Sequence, residues 1–310
     1  MTPPTTAERA PDAVPTRTGQ SWVRILLGGL ALWLATVLVT FLTGNANLIP
    51  TIILLGSFLV PAAFVAYAFQ HADAVVTGQR IFTAFLYGGV LGVLGASVLE
   101  AALLQQVSSV AFLVVGLIEE AVKLAVLWLL ARKLPYYTVR DGIVLGAAVG
   151  FGFAAFESAG YAFNAMFTPG GLSLLELVET EALRAVLVPV GHGLWTAILG
   201  GALFATAAHT PDRRPRLSGS VVGWYVVVVL LHAFWDASQS IAVWLTLLLT
   251  GTTTQWTMIR LGQVPGVTRA QINLFTALNW GLLILDGLVG VLLLILWWRR
   301  TSSASQPQTQ

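Results

Sequence analysis

The chain has 310 residues, of which 56% are apolar and only 10% are charged. This balance excludes an ordinary soluble domain, in which about a quarter of the residues are charged, and it makes the lipid bilayer the main solvent of the chain. The absence of cysteine excludes disulfides, thiol catalysis and thiolate-bound metals, so a metal would need histidine and carboxylate ligands. The formal charge of +2 gives no indication of a nucleic-acid partner.

Repeated apolar runs along the chain have the length of membrane spans. Residues 1–21 are rich in Pro, Thr and Ala and predict a disordered cytoplasmic tail. The first apolar run, 25–42, is too long for a signal-peptide core and predicts a span that stays in the mature protein. Seven further spans are predicted at 48–69, 81–104, 108–130, 143–163, 182–208, 221–249 and 271–298. The predicted fold is an all-α, polytopic transmembrane helical bundle of about eight spans, with a transmembrane domain over 22–299 and a second cytoplasmic tail over 300–310.

Positive residues collect on one side of these spans, as they do on the cytoplasmic side of membrane proteins. With the N-terminus inside, the inner segments hold Arg9, Arg17, Arg24, Arg80, Arg132, Lys133, Arg140, Arg213, Arg214, Arg216, Arg299 and Arg300, and the outer segments hold Arg184, Arg260 and Arg269. This distribution predicts an even number of spans with both termini cytoplasmic. Glu100 and Arg184 are predicted to lie at the outer interface, and the acidic loop with Glu176, Glu179 and Glu181 is predicted to be solvated.

Small residues recur every four positions at the start of the fifth span. They are Gly142, Gly146, Gly150 and Ala154. This spacing places them on one helix face and predicts close packing against a neighbouring helix.

Four consecutive spans carry ionisable residues, each of which costs roughly 2.5–3.5 kcal/mol at the centre of a membrane helix. They are Glu119, Glu120 and Lys123 in the fourth span, Glu157 in the fifth, His192 in the sixth, and His232 and Asp236 in the seventh. Lys123 follows the glutamates by four and three residues and can neutralise one of them, and the spacing of His232 and Asp236 lets a carboxylate orient an imidazole. The cluster predicts a functional site.

The residue types in the cluster favour hydrolysis by activated water. HExxH, GxSG, GxSxG and GxGD motifs are absent from the sequence, which disfavours zincin-like, serine and aspartyl chemistry. Glu120, His192 and His232 could supply a base, an oxyanion donor and an acid for the leaving nitrogen. Alternatively, Glu157, His192 and His232 could bind Zn²⁺ and leave Glu120 as the base.

Four segments around these residues resemble the PrsW family of intramembrane proteases. They are EEAVK at 119–123, DGIVLGAAVGFGFAAFE at 141–157, PVGHGLWTAILGG around His192, and LHAFWD at 231–236. They are also similar to the wider superfamily of type II CAAX prenyl endopeptidases and bacteriocin-processing-like membrane proteases, whose site combines EExxxR and FxxxH motifs with a later His and Asn. The chain departs from that pattern, because Lys123 lies one residue closer to the glutamates and Glu157 replaces a histidine.

The resemblance implies a multi-pass protease of the bacterial plasma membrane whose core motifs occupy 119–236. Its substrates would be membrane-anchored, single-span proteins such as anti-sigma factors, and its other partner would be the bilayer. Family members are classified as metallo- or glutamate-type enzymes, so the resemblance is compatible with both a zinc-bound water and a water activated by carboxylate and imidazole groups.

Two other functions are compatible with the same cluster. A proton- or cation-coupled transporter also needs carboxylates within the membrane, and a non-catalytic membrane scaffold could keep the fold without the activity. Asp286, in the last span, lies outside the matched segments and is predicted to pair with another helix or to have a separate role. Trp195 and Trp235 are predicted either to pack around the histidines or to line a substrate groove.

Overall fold

The structure is a computed structural model that describes residues 21–72, 74–104, 110–209 and 214–303. Except for Ser21, the predicted N-terminal tail lies outside the described residues, as do residues 304–310 of the predicted C-terminal tail. The last helix continues through Ser303.

The described part of the chain is almost entirely helical, as the sequence predicts. The α-helices are α1 (Ser21–Thr43), α2 (Ile49–Gln70), α3 (Gly78–Leu103), α4 (Ala111–Ala131), α5 (Val139–Ala165), α6 (Leu174–Leu187), α7 (His192–His209), α8 (Gly219–Thr250), α9 (Thr253–Arg260) and α10 (Arg269–Ser303). Short 3₁₀ helices occupy Ala46–Leu48 and Val188–Val190. The strands β1 (Phe167–Thr168) and β2 (Gly171–Leu172) form an antiparallel pair between α5 and α6, with Phe167 opposite Leu172.

Hydroxyl side chains cap several of the long helices at their N-termini. The backbone N–H groups of Arg80, Asp141 and Val221 donate to the side chains of Thr77, Thr138 and Ser218 at 3.3, 3.1 and 3.3 Å. Each cap satisfies an N–H group that has no partner within its helix, so these residues determine where α3, α5 and α8 begin.

The helices have the dimensions and surface of a membrane bundle. Among the described residues, seven helical segments are long and apolar enough to cross a bilayer. Helix α4, with 21 residues and the three charges at 119, 120 and 123, corresponds to the fourth predicted span but is not one of these seven segments. Large apolar side chains such as Leu42, Val98 and Leu248 point outward and would contact lipid.

Helix α5 lies at the centre of the bundle and packs mainly against α7 and α3. A Cβ atom on Gly142, Gly146 or Gly150 would lie only 2.2, 2.2 or 2.1 Å from a carbonyl oxygen of α7, the last of these being that of His192. Only glycine permits this backbone approach. The predicted close packing is confirmed, and it fixes the start of α7 against α5.

The predicted sixth span, 182–208, is not one continuous helix. Helix α6 ends at Leu187, the 3₁₀ turn Val188–Val190 follows, and α7 starts at His192. Pro189 and Gly191 explain the interruption, because proline lacks the N–H group of a regular helix and glycine is a poor helix former. His192 therefore lies at the first position of a new helix, beside a break in the span.

Candidate catalytic centre

All seven ionisable residues singled out in the sequence meet in one network of polar contacts. Helix α4 provides Glu119, Glu120 and Lys123, α5 provides Glu157, α7 provides His192, and α8 provides His232 and Asp236. The four helices face one another, which places the predicted site residues in a single centre.

The Lys123 ammonium group lies in the fully buried part of this centre. Its Nζ atom is 2.6 Å from Oε1 of Glu120, 3.5 Å from Oε2 of Glu119 and 2.8 Å from Nδ1 of His192. It also lies 4.2 Å above the ring of Phe153, a cation–π contact. Lys123 thus faces both glutamates, as its spacing predicts, and lies closer to Glu120.

His232 connects the two glutamates of α4 to Asp236. Its Nδ1 atom is 2.9 Å from Oε1 of Glu120. Its Nε2 atom is 3.6 Å from Oε2 of Glu119 and 3.5 Å from Oδ2 of Asp236. Because an ionised carboxylate only accepts hydrogen bonds, Nδ1 carries a proton that it donates to Glu120, and in the neutral ring the lone pair of Nε2 is directed toward Glu119.

His192 has a similar arrangement with its ring nitrogens exchanged. Its Nε2 atom is 3.0 Å from Oε2 of Glu157, and its Nδ1 atom accepts from the Lys123 ammonium group. Since an ammonium group only donates and a carboxylate only accepts, the neutral ring has its proton on Nε2 and its lone pair on Nδ1. Each imidazole is thus held by its own carboxylate, His192 by Glu157 and His232 by Glu120.

Three of these side chains have the spacing of metal ligands. One donor atom each of Glu119, His192 and His232 lies within 4.8 Å of the other two. Two imidazoles and one carboxylate form a donor set that suits Zn²⁺, and carboxylates that hold the far nitrogens of the rings are usual partners of zinc-binding histidines. Glu157, which the sequence suggested as a ligand, lies outside this group of three and bonds the far nitrogen of His192 instead.

The charge of the centre also suits a divalent cation. If all four carboxylates are ionised and both imidazoles are neutral, the centre has two negative charges more than its two fixed cations compensate; the groups are Glu119, Glu120, Glu157, Asp236, Lys123 and Arg184. Uncompensated charge is costly in a low-dielectric interior. A bound dication would balance this excess.

The side chains of the centre differ in their exposure. The side chains of Glu120 and Lys123 are fully buried, whereas those of Asp236, Arg184, Glu157 and His192 are 24%, 21%, 17% and 12% exposed. A substrate would therefore approach from the side of these four partly exposed residues, with Lys123 and Glu120 furthest from it.

Buried aromatic side chains pack against the imidazole rings. The Trp195 ring stacks on His232 at 4.8 Å, and its edge faces Trp235 at 5.8 Å. Trp195 is buried, so it packs around the histidines and does not line a groove.

Arg184 belongs to the site, although the sequence predicted only an interfacial position for it. Its Nη2 atom forms a close ion pair with Oε2 of Glu157, and its Nε atom donates to Ser158 at 2.8 Å. Pro189 and Gly191 were the sequence signal for this placement. They predict a break in the span, and with the break α6 can take a direction of its own that brings Arg184 against α5.

Three other acidic residues have buried carboxylate oxygens. Glu181 is buried and accepts hydrogen bonds from Trp33 and Ser57, so the prediction of a solvated face is wrong at this position. Asp286 is also buried, and both its carboxylate oxygens lack a hydrogen-bond partner among the described residues. Glu100 has one buried oxygen without such a partner in the same part of the chain.

Comparison with known proteins gives one match. A family model described as PrsW family intramembrane metalloprotease matches residues 24–261, or 238 of the 310 residues. The match begins within α1, continues through α9 and includes every residue of the network. No match was found among curated proteins or among solved structures.

Proposed function

The chain belongs to the PrsW family of intramembrane metalloproteases, and we propose that it hydrolyses a peptide bond of a membrane-anchored protein at the centre formed by Glu119, His192 and His232. Family membership and the apolar helices make it a multi-pass membrane protein with intramembrane protease activity. The identity of the catalytic residues, the ion and the substrate are parts of the proposal.

One observation carries the proposal. Glu119, His192 and His232 converge within 4.8 Å, and Glu157 and Glu120 hold the far nitrogens of the two imidazoles. This arrangement favours Glu119 over Glu157 as the carboxylate ligand. Zn²⁺ held by these three groups would supply Lewis-acid chemistry, polarising the peptide carbonyl and activating a water molecule.

The protein's own groups would orient the ligands and handle the proton. Glu120 and Glu157 hold Nδ1 of His232 and Nε2 of His192, which leaves the other nitrogen of each ring for the metal. Lys123 donates to Nδ1 of His192 in this structure, so an ion bound there would replace that contact while Lys123 stays paired with Glu120. Asp236 is the most exposed carboxylate of the centre and lies beside Nε2 of His232. We assign to Asp236 the role of taking a proton from the attacking water and passing it to the leaving nitrogen.

The sequence alone suggested Glu120 as this base. Its Oε1 atom contacts Lys123 and His232, and its carboxylate is fully buried. These contacts favour an orienting role for Glu120. Glu120→Gln and Asp236→Asn variants distinguish the two assignments.

The substrate proposal follows from the location of the centre on membrane-spanning helices. A peptide bond reaches these residues if it lies in or next to a membrane segment, which favours single-span proteins. The family resemblance adds anti-sigma-factor-like proteins and the bacterial plasma membrane to the proposal.

Reconstituted protein tests this function. Purified wild-type protein in liposomes should cut a co-reconstituted single-span substrate, with the position of the cut determined by mass spectrometry. His232→Ala should abolish cleavage, whereas Glu179→Gln, which changes an exposed carboxylate of α6, should not. Equal cleavage by His232→Ala and wild type would contradict the proposed centre, and ion-dependent flux without cleavage would favour a transporter.

A further inference from the structure

We infer that Arg184 is a positioning residue of the proposed centre, which acts on His192 through Glu157. The inference rests on the proposed function, because it assigns Arg184 a role toward one of the proposed metal ligands.

The first evidence is that Arg184 and His192 share one carboxylate oxygen. Oε2 of Glu157 accepts from Nη2 of Arg184 and also lies 3.0 Å from Nε2 of His192. The arginine therefore determines where this oxygen lies, and the oxygen determines the orientation of the imidazole. Nδ1 of His192, which accepts from Lys123 here and is the ring nitrogen left for a metal, points away from Glu157 as a consequence.

The second evidence is that the guanidinium group is held over the surface of α5. Its Nε atom donates to Ser158, and its central carbon lies 4.3 Å above the ring of Tyr161. Together with Glu157, these contacts use both edges and one face of the planar group. A lysine could keep the charge but could not make all of these contacts.

The third evidence is that α6 is itself anchored by a buried carboxylate. Glu181, one turn before Arg184, accepts from Nε1 of Trp33 in α1 at 2.8 Å and from the Ser57 hydroxyl in α2 at 3.0 Å. A Cβ atom on Gly56 would lie 1.7 Å from this carboxylate, so the glycine makes the approach possible. Helix α6 is tied on one side to α1 and α2 and on the other to α5.

The fourth evidence is the chain connection. Only residues 188–191 separate the end of α6 from His192. Because the span is broken there, regular helical hydrogen bonding does not fix the orientation of α7 relative to α6. The Arg184–Glu157–His192 contacts supply a connection between the two helices through side chains.

A double-mutant cycle in zinc affinity tests this role. Arg184→Gln, Glu157→Gln and the double variant are purified in detergent, and zinc affinity is measured by competition with a chromophoric chelator. We expect Arg184→Gln to weaken zinc binding about 10-fold, within the range found for groups that support metal ligands. In the Glu157→Gln background, Arg184→Gln should change the affinity by less than about 3-fold, because the intermediary is already lost.

Matched variants separate this role from a general effect on folding. Glu179→Gln on the same helix should bind zinc like wild type, and Arg184→Lys should recover part of the affinity lost in Arg184→Gln. Thermal unfolding of each variant shows whether it folds. If Arg184→Gln does not fold, Arg184→Lys replaces it in the cycle.

Two results would overturn the inference. One is wild-type zinc affinity in a folded Arg184→Gln protein, and the other is a loss that is the same with and without Glu157. If the wild type binds no zinc but cleaves substrate, the metal part of the proposed function fails. The effects of Arg184→Gln and Glu157→Gln on kcat are then measured alone and together. If the two effects multiply independently in the double variant, the role of Arg184 is overturned; if the second substitution has little effect after the first, the role is supported.

Discussion

Nδ1 of His232 lies 2.9 Å from Oε1 of Glu120, and both side chains are buried between α8 and α4. The carboxylate fixes the imidazole tautomer and leaves Nε2 free to bind an ion or a proton. The roles of the glutamates of α4 can therefore be separated by experiment, because Glu120 holds His232 and Glu119 is one of the three proposed metal ligands.

Glu120→Gln should weaken zinc binding by about 10- to 100-fold and lower kcat as well, because the amide no longer holds His232 as a carboxylate does. Chelator competition and steady-state cleavage measure the two effects. If Glu120 is the base, kcat will fall while zinc affinity stays at the wild-type value, which would contradict the orienting role.

Lys123→Met should destabilise the protein by about 3–5 kcal/mol, since it leaves the buried Glu120 carboxylate without its cation. Thermal unfolding in detergent measures the loss. Lys133→Met is the matched control, because Lys133 is exposed beyond the end of α4 and should be replaceable at little cost. A Lys123→Met protein as stable as the control would show that the ion pair contributes little to stability.

Gly150→Ala should destabilise the protein by about 1–3 kcal/mol, because its new methyl group would overlap the His192 carbonyl oxygen. Gly160→Ala, in the same helix, should have the opposite sign and stabilise by about 0.5–1 kcal/mol, since no atom lies near its new Cβ and alanine is the better helix former. Thermal unfolding of the two variants tests the packing of α5 on α7. Equal shifts in both variants would argue against the close approach.

Asp236→Asn should lower kcat by about 10²- to 10⁴-fold while leaving zinc affinity near that of the wild type, because the amide cannot accept a proton and Asp236 is outside the donor group. Cleavage kinetics and zinc competition measure this difference. Gln239→Ala, at an exposed position of α8, is the control. Loss of zinc in Asp236→Asn would make this residue a ligand.

Much of the centre could be predicted because charged residues are costly inside apolar helices. Their spacing within one helix also gave the correct neighbours, as in the pairing of Lys123 with the glutamates and of His232 with Asp236. Contacts between helices depend on how each helix is rotated about its axis, which spacing within a helix does not determine. For this reason the sequence did not indicate that Glu157 binds the far nitrogen of His192 or that Glu119 joins the two histidines.

The break before His192 was the main feature of the fold that the sequence analysis missed. Apolar residues on both sides of the break are typical of one continuous span over 182–208. The break lets Arg184 and Glu181 enter the bundle, where each finds a buried partner. Pro189 and Gly191 indicate the break itself, but the partners of Arg184 and Glu181 are far away in the chain and no local pattern identifies them.

Zinc content measured together with cleavage, in wild type and in Glu119→Gln, tests the proposed centre most directly. We expect purified wild-type protein to bind one zinc ion per chain and to lose cleavage when a chelator removes it, with recovery on addition of zinc. Glu119→Gln should bind zinc at least about 100-fold more weakly and should not cleave, because it lacks one of three protein ligands. Cleavage by metal-free wild-type protein, or full zinc binding and cleavage by Glu119→Gln, would contradict the assignment of Glu119, His192 and His232 as the catalytic metal centre.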